Sequence, residues 1–371
     1  MRASIFYGII SVFALFLLSC NRNDENDDDG GKGRYHQDDK EGLRMFLQQW
    51  SAVYDKKNAE LVGLTMDDVN AWNEKGNETW VEKIAGLTWN DEVPKRLIGV
   101  DFHAIYNFEW SVSLRVAGSL DASKWTRLTS LTLRNTEIIS LDVSTNTELT
   151  RLYLDTNPIS EINVSASTAL DKLYCRHLQL NRLDISSNTA LTALHCPGNE
   201  IYEIDVSKHP LLAHLHVGGN QISQLDISNN LQLEGLDCSF NDLRELDISA
   251  NPKLSYLVCN HNHLSLVELF KILENWNYDT TTPIIGPQEL RFGSVKVGKE
   301  VDFSSQHIFA GIETVFKVLK NDLPAPEDEY ELVDGKLIFN SVGLYVVKME
   351  NDAIYTRFDY PCVFSVSFIV V

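Results

Sequence analysis

The sequence predicts an α/β-type solenoid: an arc of stacked coils lined by a parallel sheet, with an α-rich cap in front and an all-β domain behind. Three observations carry that expectation. Leu131, Leu152, Leu173, Leu194, Leu215, Leu236 and Leu257 recur at a constant interval of 21 residues. A second apolar residue follows each by two places: Leu133, Leu154, Cys175, Cys196, Val217, Cys238 and Cys259. The regularity stops after Phe270, and short alternating segments take over. A unit this short cannot bury its own apolar side, so each coil must use its neighbours as a lid.

Within each unit the alternating L-x-L/C segment should be a strand, with one set of side chains in the core and the other on a concave face. Asn157, Asn199, Asn220, Asn241 and Asn262 stand five places after the leading Leu. A carboxamide both donates and accepts, so this row suits a turn where buried backbone needs partners. Thr136 and Leu178 depart from it, and the Leu178 coil is expected to be irregular. A Leu-Asp-Ile-Ser tetrad follows, placing Asp142, Asp184, Asp205, Asp226 and Asp247 in a solvated row.

The pattern L-x-x-L-x-L/C-x-x-N-x-I/L-x-x-L-D-I-S-x-N-x-x-L resembles the leucine-rich repeat, in the 21-residue cysteine-ladder form known from internalin J. The resemblance runs from about Trp110 to Phe270. It implies a binding arc that is not itself a catalyst, and it leaves the ligand unnamed.

In chain order, residues 1–19 have the marks of a lipoprotein signal peptide. Arg2 supplies the positive start, Ile5 to Leu18 an apolar run short for a bilayer, and Leu17-Leu18-Ser19-Cys20 resembles a bacterial lipobox. Cys20 would then carry acyl chains. Residues 20–38 read as a disordered acidic tether, resembling the export signals of surface lipoproteins and implying an outer-membrane location facing outward. Residues 39–109 should be the N-terminal cap, with helical spacing through Leu43, Phe46, Leu47, Trp50 and Val53 and an N-cap at Thr65. The repeats should occupy 110–275 and a linker 276–288. Alternating strands over 289–371, with a hairpin turn at Asp334-Gly335, suggest an immunoglobulin-like β-sandwich; internalins carry a similar module behind their repeats.

A net charge of −20, without a basic stripe interleaved with aromatics, argues against nucleic acid. HExxH, GxSxG and CxxC are absent from the sequence, and Gly293 to Lys299 copies a phosphate loop only until Glu300 replaces the magnesium-binding hydroxyl. Cys175 and Cys196, like Cys238 and Cys259, fall on adjacent strands about 4.8 Å apart. In-register side chains there point the same way, whereas a disulfide needs facing Cβ atoms. Buried free thiols are expected, as the resemblance also implies.

Outward positions assemble the candidate site. One row runs Thr132, Tyr153, Tyr174, His195, His216, Asp237; the row before it Ser130, Arg151, Lys172, Ala193, His214, Gly235, Tyr256; a third begins Arg134, Asp155, Arg176. Arg151, Tyr153, Lys172, Tyr174, Arg176, His195, His214, His216, Asp237 and Tyr256 are the ligand-binding candidates, because Tyr and Arg give large contact area with modest entropy loss. His195, His214, His216 and Asp237 share a face and are the only metal candidates, but one open sheet lacks the convergence that tetrahedral zinc needs. No metal or cofactor is expected. The sequence thus reads as a non-enzymatic surface lipoprotein recognising an extracellular protein or glycan. The alternative is a metal-dependent polysaccharide hydrolase, or an accessory subunit of an outer-membrane glycan-uptake complex.

Overall fold

The computed structural model describes residues 34–51, 55–65, 67–68, 78–102, 116–276, 283–309, 311–355 and 361–371, all within one compact unit. The signal peptide, Cys20 and the tether up to residue 33 lie outside the described residues.

The repeats fold as their spacing dictates. Ser130–Thr132, Arg151–Tyr153, Lys172–Tyr174, Ala193–His195, His214–His216, Gly235–Asp237 and Tyr256–Val258 pair in parallel, leading Leu beside leading Leu. Those leucines are 0 or 1% exposed, and the second apolar row through Cys259 is fully buried. Each buried Leu contributes about 1.5–3 kcal/mol relative to water. Cys175, Cys196 and Cys238 are free buried thiols, and Cys259 is buried in the same row.

Carboxamides hold the turns. Asn199 Nδ2 donates to the carbonyls of Cys175 and Cys196, both at 2.9 Å, while its Oδ1 accepts from Leu180 N at 3.2 Å. Asn220, Asn241 and Asn262 repeat these bonds one coil at a time. The irregularity expected at Leu178 is not observed. Its strand keeps register on both sides, and the side chain is 5% exposed. The carbonyls of Leu154 and Cys175 are already served by Asn157 and Asn199, so Leu178 fills the volume without stranding either carbonyl. A second ladder, not expected from the sequence, runs through Asn146, Asn188, Asn230 and Asn251. His209 takes the same place in its coil through Nε2 and the Ile185 carbonyl.

Both ends of the arc depart from the expected boundaries. Leu97–Asp101 joins the sheet in parallel, Val100 beside Leu131, and Leu87–Trp89 adds an antiparallel edge. The first coil therefore begins before Trp110; Val100 and Leu131 are 31 residues apart, outside the 21-residue interval. The helix Gln37–Leu47 begins inside the stretch read as tether and packs on this end. Its buried Asp39 meets Arg96 Nε at 2.8 Å and Leu97 N at 2.9 Å. A Cβ on Gly42 would fall 2.6 Å from Trp125 Nε1, so glycine permits that approach. Thr65 and Asp68 make the reciprocal bonds of a helix cap; Val53, read with the first helical spacing, lies outside the described residues.

At the other end, residues 283–288 are not a free linker. Ile284 pairs in parallel with Val258. Gln288 reproduces the Asn ladder, donating to the Cys259 carbonyl at 2.8 Å and accepting from Asn262 N at 3.1 Å. The longer side chain compensates for a coil that is out of step. Beyond it lie the small hairpin of Ile308–Phe309 with Ile312–Glu313 and two larger sheets. One orders Gln288–Val295, Pro361–Val370, Gly343–Tyr355, Val315–Lys320 and Leu323–Pro324; the other Glu300–Asp302, Lys336–Phe339 and Tyr330–Val333. Phe339, Phe368 and Phe303 pack between them. Asp334 and Gly335, at φ 49° and 77°, make the hairpin turn that their identities predict.

Candidate concave-face binding site

Three-residue strands spaced by the sheet place the second outward row as a continuous stack. Tyr153 meets Tyr174 edge to face, with centroids 4.8 Å apart. Tyr174 lies parallel to His195 at 4.2 Å, and His195 to His216 at 4.1 Å. Tyr256 joins from the neighbouring row, 6.2 Å from His216. Gly235 intervenes between their coils, and a Cβ there would sit 3.1 Å from His214 Nδ1 and 4.0 Å from the Tyr256 ring. A side chain at 235 would crowd both.

Packing sets the protonation of this stack. Burial holds His195 down to about 4, aided by the neighbouring His216. His216 is also lowered by burial, against the opposing pull of Asp237. Both imidazoles are therefore neutral at pH 7, and the stack carries no like-charge repulsion there. Burial likewise raises the Tyr174 phenol.

The parallel stacking bears on the metal candidates. Ring planes within 4° of each other and 4.1 Å apart confine the in-plane lone pairs of His195 and His216 to separate parallel planes, so they do not converge on a common point as a tetrahedral ion requires. Asp237 Oδ1 instead accepts from Ser239 N at 3.0 Å and Ser239 Oγ at 2.6 Å. Among the described residues no group of three or more His, Cys, Asp or Glu is arranged to hold a metal.

The N-terminal part of the face is cationic. Arg151 and Lys172 are cross-strand partners. Asp155, its side chain 6% exposed, lies between Arg134 Nε and Arg176, each at 3.2 Å, and also accepts from Arg176 N. The Arg134 guanidinium sits 4.5 Å from the Tyr153 centroid. Arg134 and Asp155 were visible in the third outward row, but only their shared ion pair marks them as part of the site.

Phe240 and His261 gave no outward-row signal because they belong to the turn. Each coil turns through a left-handed residue four places after its leading Leu: Asn135, Thr156, His177, Gly198, Gly219, Phe240 and His261, with φ of 50° to 68°. Phe240 is 54% exposed and stacks on His261 at 4.1 Å.

No family profile and no curated protein is matched by the sequence. Among solved structures, the functional domain of InlJ from Listeria monocytogenes, which includes a cysteine ladder, is similar over 69% of this chain and 60% of that one, at 22% identity and a TM-score of 0.52. The chain thus spans less than two thirds of that domain. An internalin C2 of the same organism is similar over 67% of this chain and 92% of that one, at 16% identity and a TM-score of 0.42. A plant ice-binding protein is similar over 70% and 89% respectively, at 18% identity and a TM-score of 0.44. The parallel sheet, the Asn ladder and the first of these likenesses define a leucine-rich-repeat solenoid. In fold, the chain is similar to that internalin domain.

Proposed function

We propose that this chain is a non-enzymatic adhesion or binding lipoprotein that grips an extracellular protein or glycan on its concave face. The continuous stack from Tyr153 to His216 carries the reading. These side chains lie on strands whose other face already makes the core, so their stacking is not needed to build the coil. Cys20, through its lipobox-like context, supplies the membrane anchor, and the acidic segment after it spaces the arc from an outward-facing outer membrane. The C-terminal strand-rich module serves as an immunoglobulin-like spacer or second contact.

The hydrolase alternative finds no support in the concave carboxylates. Asp155 is committed to two guanidiniums and Asp237 to Ser239, whereas glycoside hydrolysis needs a convergent acid pair. A protein and glycan array probed with the purified full chain should yield a ligand. Replacing Tyr153, Tyr174 and His216 together by Ala should abolish that binding and leave the cooperative unfolding transition in place. Binding that survives the triple change would move the site off the concave face.

A further inference from the structure

The N-terminal part of the concave sheet holds like charges that no carboxylate among the described residues neutralises. Arg151 and Lys172 are directly opposed on adjacent parallel strands, about 4.8 Å apart by the sheet spacing. Like charges so placed destabilise a sheet. Asp171, next along the chain, turns its carboxylate to Thr192 Oγ1 instead. Four places further along the coils, Asp155 follows Arg151 and Arg176 follows Lys172, and Arg134 stands at the matching position of the preceding coil; Arg134 and Arg176 share the single carboxylate of Asp155. Four cations thus face one nearly buried anion, in a chain whose net charge is −20.

Between the two cationic rows stand Tyr153 and Tyr174. Each ring has a face already engaged: Arg134 lies over Tyr153, and His195 covers Tyr174. The phenol hydroxyls add hydrogen-bonding groups between the cationic rows.

We propose that this quadrant binds an anionic oligosaccharide, whose carboxylate or sulfate groups pair with Arg151, Lys172, Arg134 and Arg176 and whose hydroxyls meet the phenol hydroxyls. The inference rests on the concave-face reading above and names its ligand class. The step of the surface favours a sugar over an acidic peptide. A pyranose is about as long as the strand spacing of about 4.8 Å, so successive sugars stay in step with successive coils. Same-face side chains of an extended peptide recur every two residues, about 6.6 Å, and fall out of step. Screening allows the contact despite the overall charge: at physiological salt, charges beyond about 8 Å are largely screened. A short chain lying in the arc feels mainly the cationic quadrant, whereas a nucleic-acid duplex would press further phosphates against the acidic turns.

Titration of the full chain at physiological salt tests this with four sugar probes and one peptide: oligogalacturonate for carboxylate, sulfated dextran for sulfate, the methyl ester of the first and plain dextran as neutral counterparts, and polyglutamate. At least one charged sugar should bind and its neutral counterpart should not; which one distinguishes uronate from sulfate. The double change Arg151→Gln with Lys172→Gln should weaken that binding about tenfold or more. It should also leave the thermal midpoint unchanged or raise it, because a repulsive pair is relieved. Arg134 and Arg176 are left intact, since removing either takes one of two counter-charges from the buried Asp155. Silence from both charged sugars, polyglutamate binding in their place, or charged-sugar binding that survives the double change would overturn the inference. A neutral sugar that binds as tightly, and is lost on the Tyr153, Tyr174 and His216 triple change, would also overturn it while keeping the concave-face reading.

Discussion

On the inner face of the repeat strands the same side chain returns coil after coil, whereas on the concave face the sequence changes at nearly every step. Leu131 to Leu257 is an unbroken row of leucine, all buried. The matching outward row passes from Thr132 through two tyrosines and two histidines to Asp237 and Val258. Both rows sit on the same strands and share one backbone geometry, so the difference is not imposed by secondary structure. Packing fixes the inner face, because each coil must be a lid for the next. The outer face has no such constraint, and its departures from repetition coincide with the proposed binding face.

The inner face should therefore respond most to change. Leu215→Ala removes a fully buried side chain between two identical rows, and should cost about 2–5 kcal/mol as transfer and cavity terms combine. Urea denaturation measures it directly. A cost under about 1 kcal/mol would mean that the coil collapses around the gap and that the inner row is less constrained than its repetition implies.

Asn220→Ala should come next, at about 2–3 kcal/mol. The carbonyls of Cys196 and Val217 keep second amide partners from Asn199 and Asn241. The Ile201 amide, bonded to Asn220 Oδ1 at 3.1 Å, loses its partner inside the core. A buried unpaired donor accounts for most of the expected loss. Leu178 is the internal control: it lacks the amide bridge yet keeps register. An Asn220→Leu variant more stable than Asn220→Ala would assign the remainder to volume.

The repeat region was legible because periodicity, burial and hydrogen bonding all share one interval. Where the interval fails, the sequence was silent. Leu97–Asp101 enters the sheet 31 residues before its partner strand, and Gln288 closes the Asn ladder from a coil of different length. The second ladder was present as a row of Asn at fixed spacing, but Ser167 and His209 interrupt it. Only coordinates reveal that a serine hydroxyl and a histidine nitrogen each serve one of the two carbonyls that an Asn would bond. For the candidate site, alternation placed the tyrosines and histidines of the outward row on one face. It could not place Tyr256 across Gly235, or show that the imidazoles lie parallel.

Protonation gives the outer face a smaller, pH-dependent share of stability. His195 has a folded-state value of about 4 against an ordinary 6.5, so the unfolded chain binds more protons between them. Stability from this group is complete above pH 6.5 and falls as the pH drops toward 4. Partial exposure of the ring screens the effect below what the shift alone implies. His195→Phe keeps a stackable ring without a titrating group, and should flatten the stability profile across that window. An unchanged slope would mean that the stack protonates freely and is looser than its 4.1 Å spacing suggests.

The smallest effect is expected at Phe240, where the turn row supplies its own reference. Gly198 and Gly219 hold the same left-handed turn in preceding coils, and glycine does so without a Cβ penalty. Phe240 holds it at φ 52°, at a cost of about 1–2 kcal/mol for an L residue. It recovers about 0.5–1.5 kcal/mol by stacking on His261. Phe240→Ala loses the stack and keeps the strain; Phe240→Gly loses both. The glycine variant should lie within about 1 kcal/mol of the parent, with the alanine variant about 1 kcal/mol below it. That ordering would mark an exposed aromatic ring kept in a strained turn for something other than folding, and extend the variable face past the strands. The reverse ordering, with glycine the weaker, would return Phe240 to the scaffold.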